Sequence, residues 1–168
     1  MTYLTQFKHA DDVIAHLNIV MPTITDPLLK VKYTGFATVV AVTVYELAIK
    51  DIFIEFSKKK HKVLGNFTES YFERINGRIK TKVIQEDYLP KFGAKYVDRF
   101  KKKLKETAKS HFRVHKRDML SAYANLILWR NDFAHEGKLN TTTTYAEVAQ
   151  SYEDGKEVIR CLSEAMVR

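Results

Sequence analysis

The sequence predicts an all-α fold, an up-and-down bundle of about five to six helices in one domain over residues 1–168. Three observations predict it. The 168 residues include only six glycines and three prolines, too few breakers for a many-turned β fold. Apolar residues recur at three- and four-residue spacing through long stretches. Two segments, Asn66-Phe67-Thr68-Glu69 and Thr144-Tyr145-Ala146-Glu147, carry the spacing of a helix capping box.

The first helix is expected over 10–20, where Val13, Leu17 and Val20 make an apolar stripe. Pro22 and Pro27 bracket a loop. A long helix is expected over 34–60, with Val40, Val44, Leu47, Asp51, Ile54 and Lys58 on one face. Val39, Val42, Tyr45, Ile49 and Phe53 fall near other faces, so this helix should be central and the most buried. The Asn66–Glu69 box should open a helix with Phe72, Ile75, Ile79 and Val83 in register; Gly77 bends or splits it, and Pro90 closes it.

Tyr96, Phe100 and Leu104 recur every four residues in the next helix, with Lys101, Lys102, Lys103 and Lys105 turned outward. A helix from Lys116 to His135 carries Leu120, Tyr123, Ile127 and Ala134, and Gly137 sits where helices stop. Residues 140–144 read as a polar loop. Val148, Tyr152, Gly155, Ile159, Leu162 and Met166 then form a seven-residue seam, suited to packing inside a bundle or to a dimer contact. Neither an internal repeat nor a domain linker is apparent.

Charge is unevenly distributed. The net charge is +8, yet Lys91 to Arg117 holds 11 Lys/Arg against Asp98 and Glu106, a net of +9. One segment carries the whole excess, which points to a polyanion contact. Its candidate contacts are Lys101, Lys102, Lys103, Lys105, Lys109, Arg113, Lys116 and Arg117. Tyr96, Phe100 and Phe112 are interleaved with these cations, though aromatics so placed usually belong to a core. The one cysteine, Cys161, excludes an internal disulfide framework and a Cys-rich zinc site, and reads as a reduced core thiol. No basic stretch followed by an apolar run begins the chain, so a cytoplasmic protein is expected. The most apolar segment, Phe36 to Phe56, contains Glu46, Lys50, Asp51 and Glu55; that favours a buried helix over a membrane span.

The chemistry concentrates in Arg130-Asn131-Asp132-Phe133-Ala134-His135-Glu136-Gly137. Arginine grips phosphate oxygens, and an imidazole exchanges protons near neutral pH. Residues four apart share a helix face, so Asn131 and His135 point the same way. Arg130 is five from His135 and about 140° off alignment. Its long stem can swing round, particularly over the small Ala134. Trp129 and Phe133 form an i, i+4 aromatic pair suited to anchoring the helix. This cluster suggests phosphodiester chemistry, with RNA the natural target of a basic protein.

Leu126 to Gly137 resembles the signature of the HEPN superfamily: Arg, a polar residue, three further residues, then His. The Arg-Asn-x-x-Ala-His form followed closely by Gly is most similar to the RiboL-PSP-HEPN branch. Glu136 is a departure, since that branch often has Gly directly after His. The resemblance implies an all-helical bundle that forms a homodimer through its motif-bearing helices. It also implies a metal-independent endoribonuclease with no cofactor, frequently a toxin or antiviral effector with a cognate antitoxin or regulatory protein. Arg130, Asn131 and His135 take the family's functional positions. A polar residue on the long second helix often joins them, and Glu46 is the candidate here, with Asp51 second. The implied reaction leaves a 2′,3′-cyclic phosphate and a 5′-hydroxyl.

Two other readings fit the sequence. Some HEPN proteins are catalytically inactive modules that bind RNA or a partner protein. A helical DNA-binding regulator could also use the basic segment, although no helix-turn-helix signal is visible there. His111 and His115 are four apart but have no acidic or thiol partner at ligand spacing, so they read as surface or RNA-facing groups rather than a metal site. Asn66-Phe67-Thr68 and Asn140-Thr141-Thr142 fit the glycosylation triplet, which a cytosolic chain would not use. Lys58-Lys59-Lys60 reads as a solvated cluster at a helix end.

Overall fold

A computed structural model describes residues 2–137, 139 and 142–167. Among the described residues it contains seven α-helices and no strand. They are α1 Tyr3–Val20, α2 Pro27–Lys60, α3 Lys62–Phe72, α4 Thr81–Val83, α5 Ala94–His115, α6 Met119–Glu136 and α7 Tyr145–Ala165. The short α4 continues as a π turn over Ile84–Tyr88 and a 3-10 turn over Leu89–Phe92. The all-α bundle expected from sequence is the fold, with a slightly higher helix count.

Side-chain contacts fix the helix directions. Thr2 N–H donates to Glu55 and Gln6 to Asp51, so α1 runs antiparallel to α2. Tyr45 stacks on Tyr123 at 5.5 Å, while Gly35 abuts Phe133, so α6 also runs antiparallel to α2. Lys103 pairs with Glu164 and His111 with Asp154, which sets α5 antiparallel to α7. The central helix is α2, packed by α1, α3, α6 and α7. At its middle Tyr45 lies between Tyr123 and Tyr152, the second ring 5.7 Å away, and donates its hydroxyl to the Tyr152 carbonyl. Gly155 leaves room for that hydroxyl: a Cβ there would stand 2.5 Å from it. The seam on α7 is therefore spent inside the bundle, with Val148, Tyr152, Ile159, Leu162 and Met166 all buried. Cys161 is buried as well.

Several boundaries differ from the sequence reading. The first helix begins at Tyr3, because Tyr3, Phe7, Ala10, Ile14 and Leu17 already form a buried stripe. The long helix begins at Pro27, not near 34. Asp26 caps it by accepting from Leu28 N–H at 2.8 Å, and Pro27 takes the first position, where its missing N–H costs nothing. Leu47, grouped on one face with Val40 and Val44, is exposed while those two are buried. The Asn66 box caps nothing. The third helix starts at Lys62 after His61, whose Nδ1 accepts from Val63 N–H. Thr68 instead buries its hydroxyl against α2, donating to Ser57 Oγ at 2.8 Å.

That helix stops at Phe72, and Ile75 and Ile79 reach the core from a loop. Pro90 lies inside the 3-10 turn, and Gly93, at φ 120°, ends it. Phe53 of α2 stacks on Phe72 and Phe92 at 4.7 and 5.1 Å, which binds this irregular region to the core. The second capping box is present in full at Thr144 and Glu147. Residues 140 and 141 of the expected polar loop, with the Asn140 triplet, lie outside the described residues. No helix among the described residues is long and apolar enough to cross a membrane.

Candidate active site

The motif occupies the last two turns of α6. Asp118 starts that helix by accepting from Leu120 N–H at 2.9 Å, and Gly137, at φ 64°, ends it in the left-handed cap that glycine favours. Phe133 anchors the helix end against Gly35 of α2. With the ring turned inward, His135 and Glu136 face solvent, and Arg130 and Asn131 lie half-buried. Arg130 Nη1 donates to Asn131 Oδ1 at 3.0 Å. Among the described residues Arg130 pairs with no carboxylate, and His135 has no hydrogen-bond partner. A guanidinium without a carboxylate partner among the described residues and an open imidazole on one helix end can receive an anionic ester.

Glu46 reaches the same place from α2. Its Oε2 accepts from Gly77 N–H at 2.5 Å, its Oε1 pairs with Lys50 Nζ at 2.8 Å, and its side chain is 15% exposed. Gly77 also adjoins Arg130: a Cβ on it would stand 2.7 Å from Nη2 and 3.0 Å from Nη1. Glu46 and Arg130 thus meet on one glycine. Asp51, the second candidate, accepts from Gln6 of α1 instead.

Gly77, expected to bend or split one helix, lies in a loop that separates α3 from α4. Ile75 C=O accepts from Arg78 N–H at 3.0 Å, with φ 30° at Asn76 and 76° at Gly77. Two positive φ values in the centre are what a type I′ turn requires, and Asn-Gly is its preferred dipeptide. The dipeptide was the available signal. Tyr88 donates to Arg78 C=O at 2.8 Å and Tyr123 to Ile79 C=O at 2.6 Å. Burial pushes the Tyr88 hydroxyl up to about 12, and raises that of Tyr123 well above its usual range. Both therefore stay protonated donors at physiological pH.

The basic segment divides into free and paired cations. Lys101, Lys105, Lys109 and Arg113 follow one another every four residues on the exposed side of α5, with no ion pair among the described residues. Lys116 is exposed in a left-handed cap at φ 57°. Lys102 approaches Glu106 only at 3.9 Å, whereas Lys103 pairs with Glu164 at 2.8 Å. Arg117 holds Asp154 through Nε and Nη2 at 2.7 and 3.0 Å. Of the interleaved aromatics, Tyr96 and Phe100 are core, but Phe112 is 56% exposed, against the core reading.

His111 also departs from its expected surface position. Its side chain is 8% exposed, with Nε2 3.2 Å from Asp154 Oδ1 and Nδ1 3.1 Å from the Arg117 carbonyl. The acidic partner comes from α7, distant in sequence, so spacing on α5 did not reveal it. Among the described residues no cluster of three His, Cys, Asp or Glu side chains is arranged to hold a metal ion.

No curated protein and no solved structure matches the chain. The family model for RiboL-PSP-HEPN does, over residues 6–168, and with that span the chain belongs to the RiboL-PSP-HEPN family.

Proposed function

We propose that the protein is a metal-independent endoribonuclease acting as a homodimer. Family membership supports a nuclease or other RNA-related role. The observation that carries the finer reading is the end of α6, where Arg130, with no carboxylate partner among the described residues, lies half-buried and His135 is exposed one turn on. In the proposed reaction the RNA 2′-oxygen attacks the adjacent phosphorus, and the bond from phosphorus to the 5′-oxygen breaks. One His135 imidazole takes the 2′-hydroxyl proton. The protonated His135 of the partner subunit gives a proton to the departing 5′-oxygen. Arg130 stabilises charge on the phosphoryl oxygens, and Asn131 orients the guanidinium. The products are a 2′,3′-cyclic phosphate and a 5′-hydroxyl. The substrate supplies the nucleophile, so DNA resists.

A pair of protomers supplies acid and base at once. The N-terminal turns of α2 support pairing: Leu28, Leu29, Val31, Tyr33 and Phe36 are all exposed. They run beside the motif end of α6, because Gly35 abuts Phe133. A second copy covering that apolar stretch brings the two motifs together. Tyr33→Glu should convert a dimer into a monomer on sedimentation and abolish cleavage.

The free cations of α5 hold the RNA backbone away from the cut bond. A role as a toxin or phage-defence effector fits such an enzyme, and growth arrest on expression, relieved by Arg130→Ala, would support it. The deciding experiment incubates purified protein with matched RNA and DNA, with and without chelator. The expected result is chelator-resistant cleavage of RNA alone, lost in His135→Ala. Tight RNA binding without cleavage would favour an inactive binding module.

A further inference from the structure

We propose that Gly77 is a positioning residue for the Arg130 guanidinium, and that Glu46 acts through the Gly77 peptide rather than on the substrate. The inference rests on the assignment of Arg130 to phosphoryl charge made above. It starts from the turn at Asn76-Gly77, which is fastened at three successive residues. Glu46 holds the N–H of Gly77, Tyr88 the carbonyl of Arg78, and Tyr123 the carbonyl of Ile79. Tyr123 and Arg130 are seven apart on α6, so they lie on the same face of that helix. The turn is therefore docked along the face that carries the arginine, between α6 and α2.

Gly77 faces the guanidinium with no side chain between them. A Cβ would fall 2.7 Å from Nη2, 3.0 Å from Nη1 and 3.2 Å from Cζ, so all three atoms rest against the space that glycine leaves empty. Any other residue pushes Nη2 out by several tenths of an ångström to reach ordinary contact, and a misplacement approaching 1 Å costs on the order of 10²-fold in rate when the displaced group stabilises a transition state. Glu46 sets the height of this seat. Its two oxygens are occupied by the Gly77 N–H and the Lys50 ammonium, and the carboxylate is largely covered. It fixes the peptide on which Arg130 lies, and does not itself meet the ester.

Two substitutions separate a seat for the guanidinium from a simple need for a left-handed backbone. Asparagine tolerates positive φ but carries a Cβ, whereas alanine fails on both counts. Gly77→Asn and Gly77→Ala should both lower kcat on the order of 10²-fold with KM changed less than about threefold. Full activity in Gly77→Asn overturns the proposal, because only backbone conformation would then matter. Should Gly77→Ala not fold, Gly77→Asn decides alone.

The Nε–H resonance of Arg130, assigned by its loss in Arg130→Lys, gives a reading independent of cleavage. It should shift in Gly77→Asn while resonances of the opposite end of the bundle stay in place; an unmoved resonance overturns the proposal. If the wild type cleaves no RNA, the nuclease reading fails and this resonance still decides the role of Gly77. For Glu46, the Gln variant keeps an acceptor for the Gly77 N–H. Glu46→Gln should retain most of the activity that Glu46→Ala loses, with both limbs of the pH–rate profile intact. Disappearance of one limb in Glu46→Gln would make Glu46 a proton-transfer group and overturn that half.

Discussion

Phe133 fills the space that a side chain on Gly35 would need: a Cβ there would lie 2.1 Å from Cδ2 and 2.2 Å from Cε2 of the ring. Here α2 and α6 are in close contact at the motif end. It fixes the azimuth of α6 two residues before His135 and three after Arg130. A bundle can tolerate some sliding of its helices, but a ring pressed onto a glycine permits little.

Gly35→Ala tests this contact, and two effects oppose each other. Alanine is favoured over glycine within a helix by about 1 kcal/mol. Overpacking of a core contact costs about 1–3 kcal/mol. The ring must move by more than an ångström to admit the methyl, so the packing cost should prevail. Gly35→Ala is expected to lower Tm by a few degrees, at roughly 2–4 °C per kcal/mol for a chain of this size. Cleavage should fall by more than the fraction unfolded explains, because Arg130 and His135 turn with the ring. Calorimetry beside initial rates at a temperature well below Tm checks both. An unchanged rate would mean that the ring does not set the motif.

The four-residue spacing of Lys101, Lys105, Lys109 and Arg113 makes a stripe that winds slowly around α5, and Phe112 stands within it. Phosphate neutralisation releases counterions, and for single strands each contact adds about 0.7 to the slope of log K against log salt. Lys105→Gln and Lys109→Gln should each reduce that slope by about 0.7. Lys103→Gln should change it little, since Lys103 is already paired with Glu164. Binding of a non-cleavable 2′-deoxy or 2′-methoxy oligonucleotide across a salt series measures this without turnover. Equal slopes for all three variants would place the RNA elsewhere.

Much of the site was legible as local pattern. Asp118, Gly137 and the Thr144 box obey capping rules that involve only near neighbours, so α6 and α7 were bounded closely. Arg130 and His135 announce themselves by residue type and spacing. Other features were hidden for identifiable reasons. The apolar positions Phe72, Ile75 and Ile79 are all buried, and their near-helical spacing masked a loop that reaches the core by a different path. Asn66-Phe67-Thr68-Glu69 has the letters of a box, but Thr68 spends its hydroxyl on Ser57 of another helix. The Asp154 partner of His111 lies 43 positions away in sequence. Tertiary partners of this kind cannot be read from spacing along one helix.

The cluster of Asp154, Arg117 and His111 ties the α5–α6 corner to α7 and makes stability depend on pH. Burial pushes the Asp154 carboxyl up; the Arg117 hydrogen bonds and charge, helped by His111, outweigh this and hold it below the usual range. A folded value below the unfolded one, about 3.9 for aspartate, contributes stability that is fully present above that pH. The contribution is lost as pH falls through the folded value. Arg117→Ala removes both guanidinium bonds and leaves Asp154, 5% exposed, with a weaker partner set. Hydrogen bonds to a buried charge contribute more than those between neutral groups. The Arg117 side chain is itself 41% exposed, so solvent screening discounts its loss, but the variant should still be less stable than the wild type. Denaturant midpoints at pH 7 should show that gap between wild type and variant. At pH values low enough to protonate Asp154 in both, the gap should close. A gap that persists into acid would assign the loss to Arg117 packing on α7 instead of its charge.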